Sequence, residues 1–167
     1  MQDFAAALKV TDAEEGVIGI RPGEVAVRVQ HRCLRFSRHE TFRIVHAVLP
    51  SEGVYVGSIS VAYVDDRRMR SLNARYLDHR WTTDVLAFSY TTSGAVDGEV
   101  VVNLDQARRQ APHFGVRYGD EVRRLLVHGL LHLAGHVDDT PSRRDRMRRR
   151  EDRYLASLTT RHARTNR

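Results

Sequence analysis

Residues 118–135 read YGDEVRRLLVHGLLHLAG, and the fold turns on this stretch. Val122, Leu125, Leu126, Gly129, Leu130 and Leu133 recur at spacings of three and four, the apolar stripe of a core helix that other structure has to cover. His128 and His132 stand four residues apart on one side of that helix, where two imidazoles can chelate one ion. Gly135 suits a left-handed cap that stops the helix, and the chain turning back brings either Asp138 or His136 to a third coordination position. Three protein ligands with an open position are what catalytic zinc needs, and zinc lowers the pKa of bound water toward about 7. The helix is not a membrane span: Leu125 to Gly135 offers about 11 mostly apolar residues where roughly 20 are required.

Upstream, Val25, Val27 and Val29 alternate with polar neighbours in the period of a half-buried strand. Ser37 then caps a helical segment carrying Phe42, Val45, Val48 and Leu49, which Pro50 and Gly53 are expected to close. Residues 54–64 form a β-rich run, followed by a polar helix from Asp65 to about Tyr76 with Met69 and Leu72 on its apolar side. Residues 84–90 and 98–104 read as neighbouring strands joined by a Thr, Ser and Gly loop, and a helix follows from Asp105 to about Phe114. Downstream, Thr140 and Pro141 are a cap and a first helical residue, opening a last helix expected to run to about Leu158. The order is mixed α and β around a small sheet.

A chain of 167 residues fits one domain, expected over residues 25–160, with a loosely attached extension at 1–24 and a basic tail at 161–167. Hydrophobic residues at 41% and charged residues at 29% exclude a disordered chain and a membrane protein. The single Cys33 cannot form an intrachain disulfide or supply a cysteine-rich metal cluster, and no secretory signal is visible, so a cytoplasmic protein is expected. Any metal falls to His, Asp or Glu. Of the 27 basic residues only Lys9 is lysine, and guanidinium groups suit phosphate. Residues 142–167 hold ten arginines against Asp145, Glu151 and Asp152; this segment is +7 in a chain of +6, so residues 1–141 sum to −1. The basicity is C-terminal, and it points to a nucleic-acid partner.

Several linked motifs make a resemblance specific. Leu72-Asn73-Ala74-Arg75-Tyr76-Leu77, Thr83-Asp84-Val85-Leu86-Ala87-Phe88, Gly98-Glu99-Val100-Val101-Val102 and His128-Gly129-Leu130-Leu131-His132-Leu133-Ala134-Gly135 resemble, in order and spacing, the motifs of the YbeY endoribonuclease family, also called rRNA maturation factors. Met147 and Glu151 resemble the Met and Glu of that family's last helix. The resemblance implies an α+β fold with a small mixed β-sheet packed by about five helices. It also implies one Zn2+ per chain on the helix carrying the two histidines, and an endoribonuclease selective for single strands in small-subunit (16S) rRNA maturation and ribosome quality control. The expected partners are ribosomal RNA and the small ribosomal subunit, with a ribosomal protein or an assembly GTPase beside them, and no membrane.

Two departures from the family pattern matter. The usual continuation G-Y-D-H is here Gly135-His136-Val137-Asp138, so the third ligand position falls on Asp138 and the usual Tyr on His136. The expected ligands are therefore His128, His132 and Asp138, acting in catalysis through the metal, with His136 as the rival third ligand. Leu77 stands where the family has an arginine believed to hold RNA phosphate; Arg75 and Arg80 lie nearby, and Arg143, Arg144 and Arg148 on the last helix are further RNA-binding candidates. Asp84 is either an acceptor orienting a ligand histidine or a turn cap. Gly129 replaces the glutamate that H-E-x-x-H metalloproteases use as base, which disfavours peptide hydrolysis. The alternative to an enzyme is a noncatalytic rRNA-binding assembly factor with a structural, four-ligand metal.

Overall fold

The computed structural model describes residues 23–76, 82–90 and 94–165, with side chains as far as Leu158. Nine elements follow in chain order: β1 Val25–Gln30, α1 Arg38–Ser51, β2 Tyr55–Val64, α2 Asp66–Tyr76, β3 Val85–Ser89, β4 Ala95–Asn103, α3 Leu104–His113, α4 Tyr118–Leu133 and α5 Pro141–Thr165. The strands form one sheet in the order β1-β2-β4-β3, with β1, β2 and β4 parallel and β3 antiparallel at the edge. This is the expected α+β fold, a small mixed sheet with five helices.

The helix read first, α4, lies on one face of the sheet. Leu125, Leu126 and Leu130 are buried there among Val25, Val27, Ile59, Val61, Tyr63, Val100 and Val102. Ile44, Val45 and Val48 of α1, Leu104 and Ala107 of α3, and Met147, Tyr154 and Leu158 of α5 join the same core. The opposite face is smaller: Ala62, Val64, Leu86 and Val101 pack against Met69 and Leu72 of α2. The middle strands β2 and β4 are covered on both faces, which is why their sequences run on in apolar residues instead of alternating as β1 does.

Two glycines set how closely α4 approaches the sheet. A Cβ on Gly129 would meet Val100 Cγ1 at 2.5 Å, and one on Gly98 would meet Leu133 Cδ2 at 2.8 Å. At each point a glycine on one element receives a side chain of the other, Val100 against Gly129 and Leu133 against Gly98.

The caps read in the sequence are made. Ser37 Oγ accepts from Glu40 N–H at 3.2 Å, and Thr140 Oγ1 accepts from Arg143 N–H at 3.2 Å ahead of Pro141. The ends differ more. Pro50 sits inside the last turn of α1 instead of closing it, and Glu52 N–H returns to Val48 and Leu49 carbonyls. β4 begins three residues before the expected start, since Ala95 and Val96 continue the pairing with Tyr55 and Val56. α5 continues to Thr165, past the expected end at Leu158. No described helix is long and apolar enough to cross a membrane.

Candidate metal centre

One turn of α4 brings the two histidine rings within 4.5 Å, centroid to centroid, and their Nε2 atoms within 2.9 Å. α4 stops at Leu133 because Gly135 takes φ +92°, and His136 N–H then bonds back to Leu131 C=O at 3.0 Å. That reversal carries Asp138 over the pair. Its carboxylate oxygens lie 3.8 Å from His128 Nε2 and 3.7 Å from His132 Nε2. One ligand atom from each of His128, His132 and Asp138 lies within 4.8 Å of the other two.

The far side of each ring shows why a cation fits. His128 Nδ1 is 2.7 Å from Glu151 Oε1, and His132 Nδ1 is 2.9 Å from the His136 carbonyl. An ionised carboxylate and a carbonyl only accept, so both Nδ1 atoms carry the proton and both Nε2 atoms of the neutral rings present lone pairs to one another. Two lone pairs 2.9 Å apart, with a carboxylate beside them, repel unless a positive charge joins them. Burial lowers the His132 pKa, and the closeness of His128 lowers it further, favouring the neutral ring that binds metals. Two imidazoles and a carboxylate suit zinc and several other first-row divalent ions.

Buried acids and half-buried arginines lie beside the cluster. Glu151, on the core side of α5, also lies 3.6 Å from Arg124 Nη1, and Arg124 pairs with the buried Glu121 at 2.6 Å. His136 does not face the cluster: its Nε2 is 2.7 Å from Glu52 Oε2. Burial pushes the Glu52 pKa up, but hydrogen bonds from Tyr154 and His136 and the Arg150 charge outweigh it and hold the carboxyl below its usual range. Asp84 Oδ1 accepts from Val85 N–H at 2.9 Å and its Oδ2 from the Gln110 amide at 3.3 Å, neither of them a candidate ligand histidine.

The arginine candidates are spread out. Arg144 Nη1 donates to the Asp138 carbonyl at 3.3 Å, which sets it beside the cluster, whereas Arg143 is held by Asp139 at 2.7 Å. Arg148 is exposed on α5. Arg75 is exposed at the end of α2, its guanidinium 5.5 Å from the Tyr76 ring centre, and Arg80 lies outside the described residues. The roles of Glu52 and Glu151 escaped the sequence reading. Glu151 had a signal, because it shares the 4-3-4 spacing of Met147, Tyr154 and Leu158 and so sits on the buried stripe of an otherwise basic helix.

The fold and site define an α+β protein whose central helix and the turn after it form a three-residue candidate metal centre. The chain belongs to the endoribonuclease YbeY family, whose members are hydrolases acting on RNA: the family model "Endoribonuclease YbeY" matches residues 26–159. Endoribonuclease YbeY of Chlorobaculum parvum is 40% identical over 111 residues, covering 66% of this chain and 79% of the relative. That of Chlorobaculum tepidum is 39% identical over 115 residues, covering 69% and 84%, and that of Salinibacter ruber is 40% identical over 124 residues, covering 69% and 79%. A Thermotoga maritima protein solved in solution shares the fold, with a TM-score of 0.59 at 20% identity over 85% of this chain and 93% of its own.

Proposed function

We propose that this chain is a zinc-dependent endoribonuclease, selective for single strands, acting in the cytoplasm on small-subunit rRNA during maturation and ribosome quality control. The observation that carries this reading is the convergence of two Nε2 lone pairs and the Asp138 carboxylate in a member of an endoribonuclease family. His128, His132 and Asp138 would hold the ion. When bound, it supplies Lewis-acid chemistry, polarising a phosphoryl oxygen or lowering the pKa of the attacking hydroxyl.

The protein's own residues do the rest. Glu151 and the His136 carbonyl fix the tautomer and the tilt of the two rings. Arg144 stands beside Asp138, and Arg148 is exposed further along the same helix, where guanidinium groups bind RNA phosphates and bring the ribosomal substrate to the site. The exposed free Cys33 suits a reducing compartment. His136, committed to Glu52, lends no support to a structural four-ligand centre.

The test uses full-length protein purified without added metal or a histidine tag. Elemental analysis should find about one zinc per chain. Labelled single-stranded RNA should be cut faster than a duplex of the same sequence, with cleavage lost to a chelator and restored by Zn2+. The Asp138→Ala variant should lose most of both metal and cleavage. Cleavage that survives complete metal removal would overturn the reading, as would failure to take up zinc when it is resupplied.

A further inference from the structure

Eighty-four residues separate Glu52 from His136, yet the two side chains meet at 2.7 Å. Glu52 follows the last residue of α1, and its side chain is only 6% exposed. Its oxygens also receive Arg150 Nη1 at 2.9 and 3.1 Å, the Tyr154 hydroxyl, and Arg153 Nη2 at 3.4 Å. A buried carboxylate with this many donors is a fixed point, tied to α5 on one side and to the turn after α4 on the other.

That turn has little apolar packing of its own. Gly135, Val137, Asp139 and Thr140 are exposed, and Val137, the only large apolar side chain among them, is 51% exposed. His136 is thus the side chain by which the turn reaches the interior, and it works in two directions. Its ring is held by Glu52, while its carbonyl accepts from His132 Nδ1 at 2.9 Å. Asp138 is two residues further on, with Arg144 on its carbonyl.

We propose that Glu52 is a positioning residue for the metal centre: by gripping His136 it fixes residues 134–140, so that Asp138 faces the two histidines and the His136 carbonyl orients His132. The metal-binding consequence rests on the zinc reading above; the fixing of the turn does not. Glu52 itself pairs with His136, Arg150, Arg153 and Tyr154, none of them a candidate ligand.

The experiment compares the full-length unaltered chain with Glu52→Gln, His136→Ala and the double variant, Gln being chosen to keep the size and one acceptor of the buried side chain. Amide hydrogen exchange is measured on metal-free protein, and zinc affinity by competition with a chromophoric chelator. In either single variant the amides of 135–140 should exchange at least about tenfold faster while those of β2 and β4 keep their rates. Zinc affinity should fall about 10- to 100-fold. The double variant should be no worse than the poorer single one, because both break one link. Exchange at 135–140 within twofold of the unaltered chain would overturn the proposal. So would uniform acceleration across the sheet, or unchanged zinc affinity beside a loosened turn. If the unaltered chain takes up no zinc, the zinc reading fails, and the exchange rates alone decide whether Glu52 holds the turn.

Discussion

Glu151 Oε1 on α5 lies 2.7 Å from His128 Nδ1 on α4, so a buried carboxylate of the last helix backs one of the two imidazoles of the candidate centre. Such a partner fixes the ring and raises its basicity, and its loss costs about 10- to 100-fold in metal affinity. Glu151→Gln, which keeps an acceptor but loses the charge, should fall near the lower bound and Glu151→Ala near the upper. A chelator competition titration measures both, and equal affinity in all three proteins would detach Glu151 from the centre.

A side chain at Gly129 is predicted to cost stability. A Cβ there would sit 2.5 Å from Val100 Cγ1 and 3.1 Å from Val85 Cγ2, so α4 or the sheet must move. Overpacking of this kind costs about 1–3 kcal/mol, while replacing a helical glycine by alanine returns about 1 kcal/mol. Gly129→Ala should therefore be destabilised by up to about 2 kcal/mol in urea unfolding. A more stable variant would show that the contact relaxes freely.

Burial pushes the Glu99 carboxyl up to about 7, against the pull of Arg28 and Arg68. In the unfolded chain the same group ionises near its ordinary 4.5. Between those two values the folded state holds a proton that the unfolded state has released, so this group's contribution to stability falls as pH rises through the window and levels off above it. Glu99→Gln should flatten that slope and be the more stable form at pH 8, by an amount on the order of 3 kcal/mol at most. Urea unfolding from pH 5 to pH 8 reads it, and parallel curves for the two proteins would refute it.

RNA affinity should fall steeply with salt. Arg144, Arg148 and Arg149 are exposed on α5, and each phosphate contact removed from a single strand lowers the log–log salt slope by about 0.7. Replacing all three by glutamine should weaken binding of unrelated sequences alike and flatten the slope by about 2. Fluorescence anisotropy measures both. An affinity in the unaltered protein that barely changes between low and physiological salt would remove α5 as the RNA surface.

What could be read in advance followed how local the physics was. The stripe of α4, the alternation of β1 and the caps at Ser37 and Thr140 depend on neighbours in sequence, and they were legible. The histidine pair was legible for the same reason, and so was the turn at Gly135 that separates His136 from Asp138. Glu52 was not, because nothing within its own segment distinguishes an exposed glutamate at a helix end from one gripped by a histidine 84 residues later. The end of α5 was misplaced for a different reason: residues 159–165 carry no apolar periodicity from which a helix end could be read.

The tight seat of Gly129 also bears on proton traffic. In H-E-x-x-H enzymes the residue beside the first histidine accepts the proton of the attacking group. Here that position faces Val100 at a distance that admits no carboxylate. Installing Glu at 129 would spell the protease motif and break the packing that seats the helix. The base of that motif is therefore closed to this helix, and the proton of an attacking hydroxyl would have to pass to a group other than the residue beside the first histidine.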